Sequence, residues 1–208
     1  ATPYVAEAAH FARRSLQNIA LSYLMLSEKP EVLAVCVDQF ENADNMTERL
    51  TALAVLVNSP FEEHKAKALA TFAEHFKDNP LVMDQWFSVQ AACALPGALQ
   101  RVEQLMQHPA FTLKNPNKVR ALIGAFAGQN LLGFHQADGS CYRFLADQVI
   151  TLNALNPQIA SRLLAPLTRW AKYGNTRQAQ MKAQLQRILA SGELSSDVYE
   201  VVSKSLAG

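Results

Sequence analysis

The sequence predicts an all-α protein: an α-solenoid of stacked antiparallel helical hairpins, of the HEAT or armadillo kind, with about eleven helices. Three observations predict it. Apolar residues recur at helical spacing almost from end to end. Asn-Pro pairs at Asn79, Asn115 and Asn156 are 36 and 41 residues apart, and each interval has room for two helices. Only 8 glycines and few β-branched runs leave little from which to build a sheet.

The elements follow in order. Residues 3–27 read as a helix with a broad apolar face that includes Leu16, Ile19, Tyr23 and Leu24. Pro30 restarts the chain, and Leu33, Cys36 and Phe40 mark a second helix. After a polar turn at Asn42–Asn45, Leu50, Leu53 and Val57 define a third. Ser59-Pro60-Phe61-Glu62 reads as a capping box with proline in the first turn. Leu69, Phe72 and Phe76 continue that helix. Asn79-Pro80 opens a fifth with Trp86 and Cys93, and Pro96 a sixth with Val102 and Leu105.

In the second half Asn115 reads as an N-cap and Pro116 as the first helical residue, where a missing N–H costs nothing. Val119, Leu122, Ile123 and Phe126 form one apolar stripe. Arg120, Gly124 and Gly128 share another, at i, i+4 and i+8. A stripe bared by two glycines serves either close helix packing or a ligand space beside the arginine. Leu131–Gly139 reads as a longer loop, with Ser140 capping the next helix. Asn156-Pro157 opens a helix interrupted by Pro166, which removes one hydrogen bond and predicts a kink at Arg162. Two further helices start near Asn175 and Ser195.

Composition excludes several classes. Residues 1–113 carry 8 Lys/Arg against 13 Asp/Glu and residues 114–208 carry 11 against 5, a net of −5 and +6. The cations of the basic half are dispersed over several helices without interleaved aromatics, so no nucleic-acid partner is expected. They suit attraction of a small anion such as a peptide carboxylate. No stretch of about 18 apolar residues exists, so no membrane partner is expected either. Cys36, Cys93 and Cys141 are odd in number and widely spaced, which suggests neither a zinc site nor a disulfide framework. Cys36 and Cys93 read as core residues, and Cys141, beside the Asp138-Gly139 turn, as an exposed thiol. The default compartment is cytoplasmic.

Motifs for catalysis are missing. No two of the five histidines stand at i, i+4, and there is no Gly-x-Ser-x-Gly elbow or phosphate loop. Catalytic residues, metal ligands and a resident cofactor are therefore expected to be absent. The candidate binding residues are Arg120 and Arg162. Each lies off the apolar stripe of a helix opened by Asn-Pro, and a guanidinium grips a carboxylate in bidentate fashion. Spacing alone leaves the alternative that both are solvated or salt-bridged surface residues.

NPNKVRALIGAFAGQN from Asn115, then FHQADGSCYRFLADQV and NPQIASRLLAPLTRW, resembles the C-terminal helical domain of the bacterial aminopeptidase N family. These are zinc aminopeptidases with a thermolysin-like catalytic domain. The resemblance is close from Asn115 to Ala207, while the stretch from Ala1 to Lys114 is compatible with fewer local signatures. The family's His-Glu-x-x-His motif, with a further Glu downstream, is absent from these 208 residues. The resemblance implies that residues 1–208 form a single helical domain, a fragment of a larger C-terminal cap, with the catalytic domain and its zinc outside this chain. It implies that such a cap encloses the active-site cavity and contacts the distal part of peptides whose N-terminal residues the enzyme releases. Its partners would be peptide substrates and the enzyme's own catalytic domain, and Arg120 and Arg162 would face the cavity. The alternative is a free-standing α-solenoid scaffold for a protein partner.

Overall fold

The computed structural model describes residues 5–207, and every regular element among them is helical. The chain forms two compact units, Ala1–Cys93 and Ala94–Gly208. The charge asymmetry follows this division: 7 Lys/Arg against 12 Asp/Glu in the first unit and 12 against 6 in the second, again −5 and +6.

The first unit contains α1 (Ala8–Met25), α2 (Pro30–Asn42), α3 (Met46–Val57), α4 (Glu62–Phe76) and α5 (Pro80–Ala91). Helix α3 is its hub and packs against the other four. The reason is compositional: Ala52, Leu53, Leu56 and Val57 are all 1% exposed or less, so this helix has apolar surface for several neighbours. The Cys36 thiol donates to the Ala52 carbonyl and the Cys93 thiol to that of Val57, both on this helix. Both cysteines are core residues, as expected, and burial pushes the Cys36 thiol up to about 12. Asn45 caps α3 by accepting from the Glu48 N–H, and its own amide returns to the Glu48 carboxylate.

One expectation fails here. Ser59 is not the N-cap of α4: its hydroxyl donates to the Leu56 carbonyl and accepts only from the Phe61 N–H, and α4 starts two residues beyond Pro60. The orphan carbonyls at the end of α3 compete for the hydroxyl and win it. In α1 the broad apolar face lies outward. The helix buries Arg14, Asn18, Leu21 and Met25, while Leu16 (69%), Ile19 (56%), Tyr23 (72%) and Leu24 (55%) are exposed. The inward polar residues have partners: Gln39 of α2 donates to the Asn18 side chain, and Arg14 donates to the Val5 carbonyl. The part of the predicted first helix at residues 3–4 lies outside the described residues.

The second unit begins with α6 (Ala98–Leu105). The helix opened at Asn115 runs as α7 (Pro116–Val119), a π turn (Arg120–Gly124) and α8 (Ala125–Gln129). The predicted loop contains a short helix, α9 (Leu131–Phe134), followed by α10 (Ser140–Leu155). The predicted kink is a one-residue interruption: α11 (Pro157–Leu163) stops at Leu164, which keeps right-handed helical geometry, and α12 (Ala165–Thr168) restarts with Pro166 in its first turn. Helices α13 (Asn175–Leu189) and α14 (Ser196–Ala207) close the unit. All three Asn-Pro sites cap as predicted, through the side chains of Asn79, Asn115 and Asn156.

Helix α10 is the hub of this unit and packs on α11 and α13. Ser140 is not its cap. Asp138 accepts from the Ser140 N–H and hydroxyl, and Gly139 takes the left-handed conformation (φ 71°) that the turn requires. Cys141 is buried, contrary to its reading as an exposed thiol. It falls on the inward stripe with Leu145, Val149 and Leu152, and its thiol donates to the Gly133 carbonyl. The core is aromatic. Phe134 packs edge-on against Phe126 (5.6 Å between centroids) and Tyr142 (5.4 Å), and Phe126 meets Phe144 at 6.0 Å.

Candidate functional site

Within the second unit the helices around the π turn and the broken α11–α12 helix bound a cleft of about 210 Å³. Its floor is Gly124, Ala127 and Gly128, with Leu131, Leu163 and Pro166 beside them. The glycine stripe therefore borders open space and is not a close helix contact. A Cβ added to Gly128 would meet no atom within 4 Å, and one on Gly124 would make only ordinary contact with Leu163.

Of the two predicted binding residues, Arg162 lines the cleft and Arg120 does not. The course of the side chain explains the difference, since a Cβ on Gly124 would lie 3.9 Å from that of Arg120, on the same side of the helix. The Arg120 guanidinium folds back on its own helix instead, donating to the Pro116 carbonyl (3.2 Å) and the Asn117 side chain (3.1 Å). Arg162 is exposed, and among the described residues its guanidinium has no hydrogen-bond or ion-pair partner. Arg169, exposed and likewise without such a partner among the described residues, is the second cation of the cleft. Nothing sets Arg169 apart in the sequence except its place seven residues after Arg162, two helical turns on.

His135 and Tyr173 complete the wall. The His135 ring is held at both nitrogens: Nδ1 lies 2.8 Å from the Tyr142 hydroxyl and Nε2 2.9 Å from that of Tyr173. Tyr173 also lies against the imidazole at 4.4 Å. Arg177 donates twice to the His135 carbonyl, at 3.2 and 3.0 Å, and Gln180 donates to that of Ala137, so α13 clamps the segment before α10. These partners are 7 to 43 residues apart in the chain, and no local motif announces them.

Burial, and then the Arg177 cation, lower the pKa of His135, so the ring is neutral at pH 7. One tyrosine hydroxyl must then donate to it while the other accepts. Burial, and then Lys118, lower His108 too, and its Nδ1 accepts from the Ala110 N–H. The sign of the linkage is fixed by these directions. Below the ordinary histidine value of 6.5 the unfolded chain takes up protons that the folded chain refuses. Stability is therefore whole above that pH and falls as pH drops toward the folded values. Urea midpoints are expected to decline from about pH 7.5 to 5, with a shallower slope in His135→Gln. A flat profile would contradict the assignment.

Elsewhere, a larger depression of about 490 Å³ in the first unit is lined by charges of both signs, among them Arg13, Arg14, Asp38, Asp44 and Glu48. Among the described residues no group of three or more His, Cys, Asp or Glu side chains could hold a metal ion. No helix of the described residues is long and apolar enough to cross a membrane.

Fold and cleft together define a helical-repeat protein with a small, cation-rimmed recess. Residues 1–207 match the family described as a domain of unknown function (DUF3458_C) with ARM repeats, and the chain belongs to that family. It is 40% identical to aminopeptidase N of Escherichia coli (strain K12) over 204 residues, which is 98% of this chain and 23% of that protein. It is 39% identical to aminopeptidase N of Haemophilus influenzae, over 94% of this chain and 22% of that one. Aminopeptidase N of Caulobacter vibrioides is also 39% identical, over 98% and 23%. The crystal structure of Legionella pneumophila aminopeptidase A in complex with aspartic acid superposes with a TM-score of 0.87 at 37% identity, covering 93% of this chain and 23% of that one. The chain thus spans about a quarter of the length of these relatives. Similarity extends through the stretch before Lys114, where local signatures were few.

Proposed function

We propose that this chain is part of the C-terminal cap of a zinc aminopeptidase that releases N-terminal residues from peptides. The two units would belong to one cap domain, with the catalytic domain and its zinc elsewhere in the longer protein. The observation that carries this reading is 40% identity to an aminopeptidase N over 98% of the chain. The outward apolar face of α1 supports it. A free-standing solenoid ends in a helix with a polar outer face, whereas Leu16, Ile19 and Tyr23 require cover from further helices of the longer protein. Three free, buried thiols fit a cytoplasmic protein.

In this reading the cap encloses the active-site cavity and holds the distal part of the peptide, while the zinc-bound water and its general base belong to the other domain. Arg162, exposed and at the cleft, is the principal contact. Arg120, at the head of the same glycine stripe, is the second, reached once its bonds to Pro116 and Asn117 are exchanged for a peptide carbonyl or carboxylate. The test is Arg162→Ala in the longer enzyme. The expected result is a roughly tenfold loss of kcat/KM, about 1.4 kcal/mol, on tetrapeptides, with aminoacyl-amide hydrolysis unchanged. Equal losses on both substrates, or none, would overturn the contact. The 208-residue chain alone should show no turnover.

A further inference from the structure

We infer that the cleft receives the C-terminal residue of a peptide, with its free carboxylate on Arg162 and Arg169 and an apolar side chain on the glycine floor. This rests on the peptide-holding role proposed above and names which part of the peptide the cleft selects.

Size comes first. Pockets that enclose a whole small-molecule ligand run from about 300 to 1,000 Å³, and this one is about 210 Å³. It has room for one residue, not for a length of chain. Chemistry comes second. The floor and inner walls are Gly124, Ala127, Gly128, Leu131, Leu163 and Pro166, which offer no side-chain hydrogen bond. An occupant must therefore bring apolar surface to them. The charged groups at the cleft are all basic: Arg162 and Arg169 line it, and Arg177 stands behind His135. The acids around this part of the fold are committed or turned aside. Asp138 accepts from Ser140, and Asp147 pairs with Arg187 at 2.7 Å. A planar carboxylate is the anion that matches guanidinium donors, and an apolar residue bearing its own carboxylate is the terminal residue of a peptide.

The polar wall is built for rigidity, not for contact with charge. His135 is neutral and both its ring nitrogens are occupied by tyrosines, so it offers an occupant no free donor or acceptor. Its work is positional: it fixes the Tyr173 ring at the cleft. A preset aromatic wall and preset backbone floor reduce the ordering cost of binding. An internal peptide residue lacks the carboxylate. An acidic side chain carries one but brings no apolar group to the floor.

The test is titration of the 208-residue chain with N-acetyl-leucine, N-acetyl-leucinamide and N-acetyl-aspartamide, read by amide chemical shifts of Gly124, Gly128 and Tyr173. The expected order places N-acetyl-leucine at least tenfold tighter than either other ligand. Arg169→Ala should remove that preference while leaving the weak binding of the leucinamide. Gly128→Leu, which fills space open to a Cβ and improves helix propensity, should abolish binding of all three without lowering the unfolding midpoint. Equal affinity for N-acetyl-leucine and its amide, or a preference for N-acetyl-aspartamide, overturns the terminal-carboxylate assignment and leaves the peptide-holding role standing. Shifts at none of the three residues overturn both.

Discussion

Phe134→Ala should lower the unfolding free energy by about 3–5 kcal/mol. Phe134 is fully buried and is the meeting point of Phe126, Tyr142 and His135, at centroid distances of 5.6, 5.4 and 5.1 Å. Truncation removes the transfer free energy of a whole ring and leaves a cavity that three rigid rings cannot close. It also loosens α9, a single turn otherwise held by its Asn130 cap, by the Cys141 thiol on the Gly133 carbonyl and by packing on α6 and α8. Urea unfolding is the measurement, and the m-value should stay constant. The carboxylate preference of the cleft should weaken in parallel, because His135 follows Phe134 directly and carries the hydrogen bond to Tyr173. A loss below about 1 kcal/mol would mean that the cluster is not the anchor of this unit.

Gly133→Ala should cost about 1–3 kcal/mol, in opposition to the usual gain when alanine replaces glycine in a helix. A Cβ at this position would lie 2.7 Å from the Ala98 Cβ and 2.7 Å from both terminal atoms of the Asn130 side chain. Neither neighbour can yield cheaply. Ala98 begins α6 with no flexible atoms to move. Asn130 is 2% exposed, and its Oδ1 accepts from the Gly133 N–H at 2.9 Å, so displacing it breaks the cap of α9. Gly128→Ala is the matched control, because nothing lies within 4 Å of its added Cβ. It should be neutral or stabilise by up to about 1 kcal/mol. Thermal midpoints that rise equally in both variants would show that α6 and α9 are not packed so closely.

Both predictions concern the segment from Asn130 to Gly139, which reads in sequence as a loop. Its helix is four residues long, too short to show a period, and is held by contacts rather than propensity. Helical spacing also assigns Arg120, Gly124 and Gly128 to one stripe, but it does not show that the Arg120 guanidinium turns back to Pro116 and Asn117 instead of lining the cleft. In α1 the pattern is legible but its direction is not. Apolar spacing shows that a face exists, and only the packing shows that Leu21 and Met25, with Arg14 and Asn18, take the inside.

The sequence by itself determined where helices begin and what they are made of. The Asn-Pro caps, the stripe Val119, Leu122, Ile123 and Phe126, and the core positions of Cys36 and Cys93 are set by interactions within a few residues, or by spacing along one helix. The motifs from Asn115 onward also carried the family. The tertiary structure alone decided the cleft. Arg162 and the glycine floor meet at the cleft from separate helices, and His135 is locked by Tyr142 and Tyr173 from separate elements. Those relations depend on how helices pack across intervals of up to 38 residues, and side-chain contact over such a distance leaves no periodic trace in a single chain.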